Sequence, residues 1–136
     1  MKTIFLDFDG VLHTSSIYIK SPFSRLSYFE KLLNNYSFDI VVSSTWRLHY
    51  KRTELKLKLK KLGERVIGVT GESFYGIYPR YTEINEYAEL NNIKDWRAVD
   101  DAKSQFPEDE KRLIYCEPEK GITQIQIDLL ENWLRN

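Results

Sequence analysis

Five short apolar runs lie along this chain, separated by stretches whose leucines and aromatics fall at helical spacing. The runs are "TIFLDF" (3–8), "DIVVS" (39–43), "RVIGVTG" (65–71), "WRAVDD" (96–101) and "KRLIYCE" (111–117). The first shows little polar–apolar alternation, so it reads as a strand buried on both faces. Ser21-Pro22 breaks the chain after it. Ser24 is then placed to cap a helix near 25–35, with Leu26, Phe29, Leu32 and Leu33 on one stripe. "LKLKLKKLG" (55–63) fits both periods, but Leu, Lys, Glu and Arg favour a helix and Gly63 suits its C′ position. Residues 71–79 form a loop, and a helix follows near 81–91. Thr123 caps a last helix that turns Ile122, Ile125, Leu129, Trp133 and Leu134 to the core. Strand and helix alternate to the end. That order predicts an α/β fold, a mainly parallel five-stranded sheet with helices on both faces. A chain of 136 residues is long enough for one domain, taken as residues 1–136.

Bulk properties exclude more than they identify. Twenty basic and twenty acidic residues cancel, so net charge points to no partner. Cys116 is the single cysteine, which excludes an internal disulfide and a cysteine-rich zinc site and fits a reducing, cytoplasmic setting. No apolar stretch approaches the roughly 18 residues of a membrane span, so no membrane partner is expected. The N-terminus runs from one lysine into a strand with two aspartates, unlike a signal peptide.

The chemistry lies where the strands end. Asp7 closes the first strand, and Asp9 and Gly10 form the turn after it. Asp100 and Asp101 close the fourth strand. Ligands of open parallel sheets bind beyond the carboxyl ends of the strands, so these acids converge if the two strands are neighbours. A cluster of carboxylates repels itself unless a cation sits in it, and hard oxygen ligands favour magnesium. Strand alternation sends Asp7 and Asp9 the same way, with Phe8 opposite. Asp-Phe-Asp thus supplies a carboxylate nucleophile and a second acid in one turn. Gly10 lets the backbone turn tightly and approach a bound group.

"DFDGVLH" resembles the first motif, D-x-D-G-[TV]-[LV], of the haloacid dehalogenase (HAD) superfamily. The family's other three motifs have counterparts in order: Ser43 in "DIVVSSTWR", Arg80 in "YPRYTEI" and the pair in "AVDD", together spanning about residues 3–106. The resemblance implies a three-layer Rossmann-like HAD fold and a magnesium-dependent phosphatase working through an aspartyl-phosphate. It implies Asp7 as nucleophile and Asp9 as acid and base. It implies a magnesium site made by Asp7, the Asp9 backbone carbonyl, and Asp100 or Asp101. Ser43 and Arg80 would grip the phosphoryl oxygens, with Gly10 beside them and Lys103 a rival to Arg80.

Several neighbours have two readings. Ser44 and Thr45 suit a helix cap, Ser44 also a substrate contact. Trp46 and Arg47 could line the site or contact substrate, although Trp46 also suits the core, and His13 suits a substrate contact or a satisfied polar residue. Residues 14–37 and 44–79 are too short for a substantial cap domain, so the site is expected to be open. An open site fits a large phosphorylated substrate, such as a polynucleotide end or a phosphoprotein. Eight basic residues between 47 and 65 (Arg47, Lys51, Arg52, Lys56, Lys58, Lys60, Lys61 and Arg65) could steer such a polyanion, or form a solvated helix face. "SSTWR" with "VDD" also resembles short capless domains of nucleic-acid end-repair phosphatases. Two alternatives remain in view: a non-catalytic HAD-like domain that binds phosphate or a partner, and a phosphoacceptor receiver domain. The receiver places its acceptor on the third strand, which disfavours it here.

Overall fold

A computed structural model describes residues 1–15 and 21–136. Five parallel strands form one sheet: β1 (Thr3–Leu6), β2 (Asp39–Val42), β3 (Val66–Val69), β4 (Trp96–Asp100) and β5 (Leu113–Tyr115). Their order is β3-β2-β1-β4-β5. The chain builds outward from β1 through β2 to β3, then returns to the other side of β1 for β4. The topological switch therefore falls at β1 and β4, where ligand crevices form in such sheets.

Alternation along the strands sorts the core into two layers. Ile4, Leu6, Ile40, Val42 and Val99 face the larger layer, which is covered by α1 (Glu30–Asn35), α2 (Arg52–Lys58) and α4 (Gln124–Arg135). Phe5, Val41 and Ala98 face the other layer, where Ile84 and Ala88 of α3 (Pro79–Leu90) pack on them. This is the expected three-layer α/β architecture, and among the described residues no cap domain interrupts it.

Local details correct several expectations. Ser24 caps nothing: the segment opens as a 3-10 turn, Leu26–Phe29, whose N-cap is Arg25, with no side-chain cap. Residues 55–63 are helical as expected, with Leu55, Leu59 and Leu62 buried and Leu57 79% exposed. Gly63 is not the C′ residue, however. Lys60 takes the left-handed position after α2, at φ 55°, and Gly63 lies in the 3-10 stretch Lys60–Arg65. A Cβ there would collide with the Lys56 carbonyl, so the glycine serves close packing rather than chain reversal. The third helix begins at Pro79, two residues earlier than expected, because proline is pre-set for the first helical position. Arg80 thus lies in the first helical turn rather than before it.

Thr123 does cap α4, in a box with Gln126. Ile122, Trp133 and Leu134 are buried as expected, but the rest of the buried face of α4 differs. Ile127, Leu130, Trp133 and Leu134 are buried, whereas Ile125 and Leu129 are 70% and 51% exposed. Both stripes have helical spacing, so periodicity alone could not choose. The choice follows from where α4 lands on the sheet. Leu130→Ala should cost about 2–5 kcal/mol in urea unfolding, and Leu129→Ala under about 0.5 kcal/mol. Equal losses would contradict this placement of the helix.

Candidate active site at the carboxyl ends of the strands

The strand ladder continues one residue past β1, β2, β3 and β5. Asp7 N–H donates to Val99 O, Ser43 N–H to Leu6 O, Thr70 N–H to Val42 O and Cys116 N–H to Asp100 O. Register then sets Thr70, Ser43, Asp7 and Asp100 in one row across the sheet. Paired residues of a parallel sheet share a face. This row therefore faces the α3 side, in line with Phe5, Val41 and Ala98 below it.

Arg80 reaches the row from α3. Its Nη1 donates to Asp100 Oδ2 at 2.6 Å and stands 3.5 Å from Asp7 Oδ1. Asp101 completes the group: carboxylate oxygens of Asp7, Asp100 and Asp101 lie within 4.8 Å of one another. Burial pushes the Asp7 carboxyl well above the ordinary carboxylate range, and the Asp100 charge adds to it against Arg80. Asp101 is pushed up by burial as well, although its hydrogen bond with Asp7 works the other way. That bond raises Asp7 and lowers Asp101. Burial opposes the Arg80 charge, but Asp100 and Asp7 outweigh it and hold the guanidinium above its usual value.

Gly10 was expected near the phosphate. At φ 77° it lies against Asp101, whose carboxylate occupies the space a Cβ would need. The glycine thus lets the first loop and the fourth strand's acid pair touch. Asp9 does not share a partner with Asp7, contrary to the simple alternation expected, because regular strand geometry stops at Leu6. Asp9 Oδ1 is 2.7 Å from His13 Nε2, and Trp46 Nε1–H donates to both Asp9 oxygens at 3.1 and 3.2 Å. Its carboxylate is therefore not among the three acids that could hold an ion; only its backbone remains available for that role.

His13 is 1% exposed and is fixed on both sides. Phe23 N–H donates to Nδ1 at 3.2 Å, so the ring proton is on Nε2 and points at Asp9. The His13–Asp9 contact is thus a hydrogen bond from a neutral ring rather than an ion pair. Phe23 delivers its N–H from the left-handed region, at φ 62°. Such a conformation costs a bulky residue about 1–3 kcal/mol. Its ring packs edge-on against Phe8, His13 and Trp46, which offsets that cost. Trp46 is accordingly both packed and polar, a joint between the core and Asp9.

Other expected contacts are taken by the fold. Ser44 is fully buried and its Oγ accepts from Trp46 N–H, so it is a cap. Arg47 is tied to the Thr70, Ser44 and Gly71 carbonyls and to Glu83 at 3.1 Å, with its side chain 5% exposed. It is a clamp rather than a substrate contact. Arg65 donates to the Tyr36 and Leu33 carbonyls, which removes a second cation from the basic stretch. Lys103 is exposed and its Nζ sits over the Tyr115 ring, so Arg80, not Lys103, meets the acids. Cys116 is buried and unpaired, its thiol pushed up to about 12 by burial and by Asp100, and hence inert.

Glu83 had no place in the sequence reading. It is 8% exposed, lies 3.1 Å from Arg47 and 3.9 Å from Arg80, and accepts the Ser73 N–H. Arg80 and Glu83 are three apart on one helix face, a spacing that becomes visible once the helix begins at Pro79.

A family model described as "HAD domain in Swiss Army Knife RNA repair proteins" matches residues 3–127. The chain belongs to this HAD family. No curated protein and no solved structure matches it significantly. Within the HAD domain, the donor set fits a divalent cation. Four carboxylates (Asp7, Asp100, Asp101, Glu83) face two guanidinium groups, Arg47 and Arg80. The excess is two negative charges when all are ionised, and the ligands are hard oxygens.

Asp7 and Asp101 keep their protons to higher pH in the fold than in the unfolded chain. The metal-free protein is therefore most stable at low pH on their account. That contribution falls as pH rises from the ordinary carboxylate range through the raised values. Asp7→Asn should flatten this fall. Magnesium at about 100 times its Kd should add about 2.7 kcal/mol to the wild type, read as a rise of several degrees in Tm. The Asp7→Asn protein should gain much less; equal gains would place the ion elsewhere.

Proposed function

We propose that this HAD domain is a magnesium-dependent phosphohydrolase that works through an aspartyl-phosphate on Asp7. The observation that carries the reading is Ser43 Oγ, buried and without a hydrogen-bond partner, next to Asp7 in the row. An unmade hydrogen bond on a buried hydroxyl costs about 1–3 kcal/mol. A phosphoryl oxygen would remove that cost. Ser43 is also the family's second-motif position by resemblance, and Arg80 the third.

Asp7, the Asp9 backbone carbonyl and Asp100 or Asp101 would hold magnesium. The bound ion would keep Asp7 ionised and offset charge on the phosphoryl oxygens. In the first half-reaction an Asp7 oxygen bonds to phosphorus, and the bond to the leaving oxygen breaks. Asp9 gives that oxygen a proton. Oδ2 is the atom for this, because His13 engages Oδ1 alone, while the Trp46 N–H is shared between both oxygens. Asp9 keeps 42% of its side chain exposed and so reaches the leaving group. In the second half-reaction Asp9 takes a proton from water. The hydroxide bonds to phosphorus, and the Asp7–phosphorus bond breaks to release phosphate. Ser43 and Arg80 hold the equatorial oxygens throughout, where positioning and electrostatics do most of the work.

The absence of a cap among the described residues supports a large substrate, a polynucleotide end or a phosphoprotein. The RNA-repair description of the family favours the first. We place the protein in a reducing cytoplasm, where Cys116 stays a thiol.

Turnover of an aryl phosphate, or of a phosphorylated oligonucleotide, should be lost in Asp7→Asn. It should fall about 10²–10⁴-fold in Asp9→Asn. Equal activity of Asp7→Asn and wild type would refute the mechanism. No turnover by the wild type on a full panel of phosphorylated oligonucleotides and peptides would favour the non-catalytic binding domain.

His13 is a positioning residue acting through Asp9. His13→Ala should lower kcat more than it changes KM and shift the acid limb of the kcat–pH profile. An unshifted profile would leave His13 a purely structural role.

A further inference from the structure

The loop between β3 and α3 is organised within and apolar without. Its root is fixed: Arg47 donates to the Thr70 and Gly71 carbonyls, and Ser73 N–H donates to the buried Glu83 carboxylate. Ser73 is itself buried, and its Oγ accepts from Tyr75 N–H at 3.4 Å. Beyond this root, Phe74, Tyr75 and Ile77 are 84%, 79% and 85% exposed. Single exposed apolar residues are ordinary, but three within four positions on an anchored loop mark an interaction surface. Neither the Phe74 nor the Tyr75 ring has an aromatic or cationic partner among the described residues.

The position of this tip says what it would meet. Ile77 is three residues from Arg80, and Phe74 six. Their backbones thus lie within about 20 Å of the residue proposed to grip phosphate. The root is shared with the site, because Glu83 holds both Ser73 and Arg47 and stands beside Arg80. On the other side of Arg47 lies Trp46, bonded to Asp9 and stacked on Tyr50, with Lys58 Nζ 4.5 Å from the Tyr50 ring centre. A chain that leaves the site past this loop finds flat apolar faces, and past Tyr50 a cation. Unpaired bases offer a π-face to such rings whatever their sequence, and their backbone offers charge to Lys58. Bases closed in a duplex do not.

We propose that Phe74 and Tyr75 form a stacking platform for a single-stranded nucleic acid whose terminal phosphate enters the site. The phosphate end of this assignment rests on the phosphohydrolase reading; the platform does not. Two of the three exposed side chains are planar, and the root of the loop shares Glu83 with the two arginines of the candidate site. Both features favour bases over a peptide.

Binding can be read without turnover. In the Asp7→Asn protein, a labelled single-stranded oligonucleotide with a terminal phosphate is titrated by fluorescence anisotropy. Replacing both rings, Phe74→Ala with Tyr75→Ala, should weaken binding about tenfold or more, the loss of at least one stacked base. Phe74→Trp with Tyr75→Phe should retain affinity, whereas Phe74→Leu with Tyr75→Leu should lose it, because the platform needs planes rather than bulk. A duplex of the same sequence should bind more weakly. Thermal melts of every variant should match the parent, since both side chains are exposed. Unchanged oligonucleotide affinity without the rings would overturn the proposal. So would full affinity in the leucine pair, no oligonucleotide binding at all, or a loss confined to phosphopeptides. If wild type and Asp7→Asn are equally inactive while ring-dependent binding persists, the phosphohydrolase reading fails and the platform stands.

Discussion

Negative charge crowded at one sheet edge governs this molecule. Asp7, Asp100 and Asp101 come from two neighbouring strands and the turn between sheet and loop, and their oxygens lie within 4.8 Å. Such a group is unfavourable unless each charge is answered. Arg80 answers from α3, and the oxygen ligands suit a divalent ion for the rest. The details nearby follow from holding these groups together. Gly10 is needed so that Asp101 can touch the first loop. Glu83 is needed because Arg80 and Arg47 both require a buried counter-charge.

Around that edge the fold gives the two acids of one motif different surroundings. Asp7 is buried among acids, while Asp9 is half-exposed and bonded to His13 and Trp46. The two carboxylates thus meet different environments two residues apart. Different environments are what the proposed nucleophile and proton donor would require. The strained backbone at Phe23 belongs to the same device, since it presents the N–H that fixes the His13 tautomer. A less constrained residue there would leave the imidazole free to turn its other nitrogen to Asp9.

Much of the architecture was legible because apolar runs and helical stripes have different periods. The strands, the parallel order and the acidic strand ends all follow from local pattern. The failures are instructive. Ser24 is a good cap residue without a helix to cap. Ile125 and Leu129 form as good a stripe as Ile127 and Leu130, and only docking decides between them. Arg47 and Arg65 look like members of a basic steering stripe, yet each spends its donors on backbone carbonyls. Hydrogen bonding to carbonyls from distant segments leaves no mark in local sequence.

The sequence by itself determined which residues could do chemistry here: two aspartates after the first strand, a hydroxyl after the second, an acid pair after the fourth. It did so because strand ends and turns are local features. Tertiary structure alone decided that Thr70 and Ser43 lie in register with Asp7, and that Arg80 rather than Lys103 reaches the acids. It also decided that Glu83 joins the two arginines and that His13 gives its proton to Asp9. These are contacts across strands and layers, and their geometry exists only after the sheet has closed and α3 has packed upon it.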